Sequence, residues 1–137
     1  MKAHIYTKPI EFRGGVEPLP GRLYYLAHPF KTCQGKNTSE AEQAANVRYA
    51  AHIEELLLRR GVRVINPLLL PLGREIGPDG AVVINDKAAR EDCIRLLNVC
   101  TGGIILAPKW EDSTGCCDER KTAVAWGFDV FEIIACM

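Results

Sequence analysis

The sequence predicts a single α/β domain, a parallel sheet flanked by helices on both faces. Three observations predict it. Short apolar runs fit for buried strands recur at residues 23–27, 62–65, 104–107 and 130–134. Longer segments with helical caps and helical apolar spacing lie between them. The strand-type runs are apolar on both sides, which suits burial between two helical layers. Strands alternating with helices favour parallel pairing. A chain of 137 residues is long enough for one packed core.

Each element has a local reason. Residues 1–21 form an N-terminal arm or edge strand, with Ile5-Tyr6-Thr7 as the candidate strand, and the domain proper covers residues 22–137. Gly14-Gly15 and Pro18–Gly21 separate the two. The run LYYLA at 23–27 is the first core strand, ended by His28-Pro29. Ser39 can cap a helix, Glu40 and Glu42 suit its positive end, and Gly61 stops it. The strand at 62–65 ends at Asn66-Pro67. Residues 68–84 hold three glycines and two prolines with no regular period, the mark of a functional loop or lid. Asn85 or Asp86 opens a second helix through Leu97. Gly102-Gly103 leads to the strand at 104–107. A third helix covers about 115–125, stopped by Gly127, and the last strand is 130–134.

Composition excludes several function classes. Apolar residues make up 47% and charged residues 25%, and the formal net charge is zero. No global field attracts polymeric nucleic acid or anionic lipid. No apolar run is long enough to span a bilayer, and the first residues lack a secretory pattern. A cytoplasmic protein with reduced cysteines is expected. The six cysteines form no C-x-x-C pair, and His4, His28 and His52 have no paired metal spacing, so neither a metal nor a cofactor is expected. Cys116 and Cys117 read as small residues in a helix's first turn. A phosphate-loop match at Gly35-Lys36 fails because Phe30 stands where its first glycine belongs, which leaves a surface turn. No dinucleotide fingerprint and no G-x-S-x-G elbow occurs.

In parallel sheets, ligands gather at the carboxyl ends of strands. That rule points to four segments: residues 28–38, 66–85 and 108–117, and the tail after Ile134. Ser113 stands where a helix begins, so its hydroxyl can cap the helix or border an anion site. Gly115 permits close approach to the backbone. Glu119 lies about one turn in, where the helix end favours its ionised form; it is either a nucleophile or an ordinary favourable charge. Asp92, midway along the second helix, offers a second carboxylate, or pairs with Arg95 or Lys87 on a solvated face. His28 and Asn66, at strand ends, are further pocket candidates.

The segments LYYLAHPF, NVRYAAHIEELLLRRGVRVINP, REDCIRLLNVCTGGIILAPKW and STGCCDE, in this order, resemble the nucleoside 2-deoxyribosyltransferase-like superfamily from about residue 23 to 134. The resemblance implies a flavodoxin-like sheet and cleavage of an N-glycosidic bond. It implies that Glu119 is the nucleophile, forming a glycosyl ester, and that Asp92 is the acid. It implies that His28, Pro29 and Phe30 shape the base and sugar pocket. It implies a small-molecule nucleoside or nucleotide as ligand and a homo-oligomer, dimer or tetramer. Three departures refine it. Ser113 stands where the transferases often carry an acid, which resembles the nucleoside 5′-monophosphate N-glycosidases. His28 replaces a usual glycine, and Cys117 replaces another. Trp110 can stack on a base or cover the core. Arg48 and the lysines near the strand ends can neutralise a phosphate or serve as solvated surface. Hydrolysis is the expected activity. Sugar transfer, nucleotide binding without turnover and a purely assembling subunit are the alternatives.

Overall fold

The computed structural model describes residues 10–135. Nine strands and three helices follow one another: β1 (Glu11–Phe12), β2 (Leu23–Ala27), β3 (Thr32–Cys33), β4 (Lys36–Asn37), α1 (Glu40–Arg59), β5 (Arg63–Ile65), β6 (Arg74–Ile76), β7 (Val82–Ile84), α2 (Asp86–Val99), β8 (Gly103–Leu106), α3 (Thr114–Ala125) and β9 (Val130–Ala135). Short 3₁₀ turns cover Arg13–Gly15, Pro67–Leu69 and Trp110–Asp112.

The main sheet has the order β1-β9-β8-β2-β5. Strands β9, β8, β2 and β5 run parallel. Strand β1 runs antiparallel to β9, so the sheet is mixed and the wholly parallel expectation is corrected. The reason is the connection. A parallel neighbour needs a crossover that returns the chain to the same end of the sheet. Between β1 and β2 there is only a 3₁₀ turn and irregular chain. The expected edge strand at Ile5-Tyr6-Thr7 lies outside the described residues.

Period-two alternation divides the core. Tyr24, Leu26, Ile105, Phe131 and Ile133 form one buried cluster with Ile53 and Leu57 of α1. Tyr25, Ala27, Ile104 and Leu106 form the other with Leu97 of α2 and Cys116 and Ala123 of α3. Strands buried on both faces explain the near-continuous apolar runs. Gly103 starts β8 at φ +121°, and a Cβ there would stand 2.3 Å from the Asp129 carbonyl oxygen. Only glycine lets β8 enter between its neighbours.

The caps act as their sequences suggest. The Ser39 hydroxyl accepts from the Glu42 amide while Glu42 accepts from the Ser39 amide, a reciprocal cap. Asn85 accepts from Ala88 N–H, and Ser113 from Cys116 N–H. The irregular loop expected at 68–84 is corrected: it contains a hairpin, β6 against β7. Its turn closes with the Gly80 N–H on the Gly77 carbonyl and the Ala81 N–H on the Asp79 carboxylate. The surface turn read at Gly35 is the tip of the small β3–β4 hairpin, where Gln34 and Gly35 both take positive φ. No helix among the described residues is long and apolar enough to cross a membrane.

Candidate functional site

The site follows from strand order. From β2 the chain crosses through α1 to β5 on one side, then returns through α2 to β8 on the other. The chain leaving β2 therefore goes to α1 on one face and the chain leaving β8 goes to α3 on the other, and a crevice opens where they part. A cavity of about 450 Å³ occupies it. Tyr25, Cys93, Cys116 and Glu119 line its inner end. Ser113 and Gly115 bring the start of α3 to it. Phe30, Leu68, Leu70 and Ile84 form an apolar wall. Lys31, Asp86, Arg90 and Asp118 stand at the rim as charged, exposed side chains. The cavity thus combines apolar surface with a few convergent polar groups, the common character of small-molecule sites.

Glu119 is the chemical centre. Its carboxylate accepts the hydroxyl proton of Tyr25 in a short hydrogen bond. Burial pushes its pKa up to about 7; the Tyr25 hydrogen bond works in the opposite direction, and neighbouring Asp118 raises it further. A carboxyl group so poised changes charge near neutral pH. The Tyr25 hydroxyl is itself held protonated, first by burial and then by the charge of Glu119. The Cys93 thiol is pushed up to about 11 by burial, and the Cys116 thiol further up for the same reason. Neither is a ready nucleophile at neutral pH.

His28 is buried in the cavity wall. Its Nδ1–H donates to the Pro29 carbonyl at 2.8 Å. Desolvation lowers its pKa to about 4, against a smaller opposing effect of that hydrogen bond. The ring is therefore neutral, and its buried Nε2 has no partner.

Of the residues singled out from the sequence, Glu119, His28, Phe30, Ser113 and Gly115 come together around this cavity. Five others do not line it. Asp92 accepts the Gly73 amide N–H at 2.9 Å and pairs with Arg95 at 3.2 Å. The reason is its position on α2. Ala89 and Cys93, four residues apart, face the cavity, while Asp92 lies about 100° around the helix. Gly73 approaches α2 so closely that a Cβ would stand 2.7 Å from Ala89 Cβ. Asp92 thus ties the hairpin to the helix. Pro29 serves through its carbonyl. Arg48 is exposed on α1. Asn66 is buried, with its amide donating to Glu54 at 3.1 Å, one residue before the cavity-lining Pro67. Trp110 donates from its indole N–H to Glu132 at 3.0 Å, stacks under the Arg120 guanidinium and packs against the core.

Sequence reasoning missed Tyr25, Cys93 and Arg90. Tyr25 sits within an apolar strand, where a tyrosine reads as core. Its parity with Ala27 puts it on the face that carries α3, which is the usable signal. Cys93 follows from the Ala89–Cys93–Leu97 stripe. Among the described residues no three His, Cys, Asp or Glu groups are placed to hold a metal ion. Neither a family model, nor a curated protein, nor a solved structure matches this chain.

Proposed function

We propose that the chain is a flavodoxin-like α/β enzyme, with helices on both sheet faces, that hydrolyses the N-glycosidic bond of a nucleoside or nucleoside 5′-monophosphate. The observation that carries this reading is the Glu119 carboxylate, held by Tyr25 at the inner end of a largely apolar cavity. Tyr25 engages one carboxylate oxygen and leaves the other free to attack. The free oxygen bonds to the anomeric carbon as the bond to the base breaks, and the bond electrons leave with the base. Water then attacks the same carbon, releases the sugar and restores Glu119. The apolar wall of Phe30, Leu68 and Leu70 suits the flat face of a base. The role that the resemblance gives Asp92 is set aside in this reading, since Gly73 and Arg95 occupy its carboxylate. The departing base takes its proton from water at the open rim.

The test is incubation with a panel of nucleosides and their 5′-monophosphates, followed by chromatography for free base. Release of one base is expected, and Glu119→Gln lowers the rate by on the order of a thousandfold or more. No release from any member of the panel, with Glu119→Gln binding every ligand as the parent does, sinks the hydrolase. Addition of a second base and the appearance of its nucleoside would identify a transferase instead. The engagement of Asp92 favours one further reading, nucleotide binding without turnover; it predicts saturable binding with the ligand recovered intact. Cytoplasmic location and a homo-oligomer belong to the same proposal, and the exposed apolar side chains of the hairpin, Ile76, Val82 and Val83, are the surface available for assembly.

A further inference from the structure

His28 stands in the cavity wall, directly after the end of β2. The side chain is 6% exposed, its Nδ1–H is committed to the Pro29 carbonyl, and its Nε2 is buried with no partner. With the proton on Nδ1, Nε2 carries a lone pair and can only accept. Buried polar atoms without partners are rare and costly in folded proteins. His28 lines the cavity, so a ligand that reaches Nε2 from there would supply the missing partner. Lys31 and Arg90 at the rim, and the amide N–H groups at the start of α3, are donors. His28 is a neutral acceptor in the wall, distinct from the carboxylates of Glu119, Asp86 and Asp118.

We infer that His28 is a specificity residue: its Nε2 accepts a hydrogen bond from an O–H or N–H donor of the bound ligand. A ligand that presents an acceptor or an anion at this point meets a lone pair and is disfavoured. The ligand is thereby oriented with a donor toward the end of β2 and its anionic or acceptor groups toward α3 and the rim. The identity of the donor rests on the nucleotide reading, where it is either a sugar hydroxyl or a base amino group; the existence of the acceptor site does not.

The experiment uses the full chain with ¹⁵N-labelled histidine, with the His28 signals assigned by their loss in His28→Phe. Adenosine 5′-monophosphate is compared with its 2′-deoxy analogue and with purine riboside 5′-monophosphate, which lacks the amino group. The variant Glu119→Gln is used where turnover interferes. The expected result is a shift of the His28 Nε2 resonance on binding, and a loss of about tenfold in affinity for the one analogue that lacks the recognised donor. That selectivity disappears in His28→Phe, which keeps a ring and removes the acceptor. The two analogues separate the sugar from the base as source. Phenol and anisole, alike in shape but differing in a donor, probe the same site without nucleotide chemistry. If phenol moves Nε2 while no nucleotide binds, the acceptor stands and the nucleotide reading falls. An Nε2 resonance that stays put with every donor, or a selectivity that persists in His28→Phe, overturns the inference.

Discussion

A carboxyl group whose pKa stands at about 7 is divided between its two forms at neutral pH, and this fixes how Glu119 responds to its neighbours. In the proposed hydrolysis the nucleophile must be ionised, so base release is expected to rise with pH through about 7. The Tyr25 hydroxyl stabilises the ionised form, which is why its hydrogen bond lowers the pKa against the larger effect of burial. Tyr25→Phe removes that donor and keeps the ring. The midpoint of the kcat/KM profile is then expected to move upward by about one pH unit, the scale of a hydrogen bond to a charged group. A midpoint unchanged or lowered in Tyr25→Phe would show that the hydroxyl does not govern the carboxyl group. The place of Glu119 near the start of α3 was legible because Ser113 and Gly115 mark that turn, but its raised pKa was not: the helix start was expected to favour the ionised form, and burial outweighs it. Tyr25 was not, because its partner is 94 positions away and nothing local distinguishes its hydroxyl from that of a core tyrosine.

At the scale of elements, α2 shows how one turn of helix decides between chemistry and structure. Its inward stripe presents Ala89 and Cys93 to the cavity, and Asp92 beside them reaches the hairpin instead. Asp92→Asn keeps an oxygen for the Gly73 N–H, so stability is expected to change by less than about 1 kcal/mol and base release only a few-fold. Asp92→Ala leaves that amide without a partner and is expected to cost about 1–2 kcal/mol in urea unfolding. A catalytic acid would respond differently, with Asp92→Asn losing roughly a hundredfold or more in rate. The main elements were legible because capping residues and apolar periodicity agree at Ser39, Asn85 and Ser113. The β6–β7 hairpin was not, because its apolar side chains, Ile76, Val82, Val83 and Ile84, all stay exposed and leave no alternation directed at the core. Strand β1 falls in the segment read as an arm or edge strand, but its position at Glu11–Phe12 was not legible, because two residues carry no period.

For the whole molecule, strand order is the property the sequence could not supply, since parallel runs of similar composition do not state their neighbours. The order places β2 beside β8, and that adjacency creates the cavity. The cavity in turn sets a cost on the fold, because it holds a carboxyl group that is harder to ionise in the folded state than in the unfolded one. A raised acid pKa means that the folded state binds its proton more tightly. The resulting stabilisation is complete below the ordinary value of 4.5 and is lost as pH rises through about 7. Glu119→Gln preserves the shape and an acceptor for Tyr25, and it has no charge to desolvate. At pH 8 the variant is therefore expected to be more stable than the parent by on the order of 2 kcal/mol, less than the full shift because the side chain borders solvent in the cavity. The gain should appear as several degrees in Tm and shrink toward zero as pH falls below about 5. Thermal unfolding of the two proteins across this range gives the answer. A difference independent of pH, or a parent more stable than the variant at pH 8, would mean that Glu119 ionises as freely in the folded protein as in water, and that the cavity does not tune it.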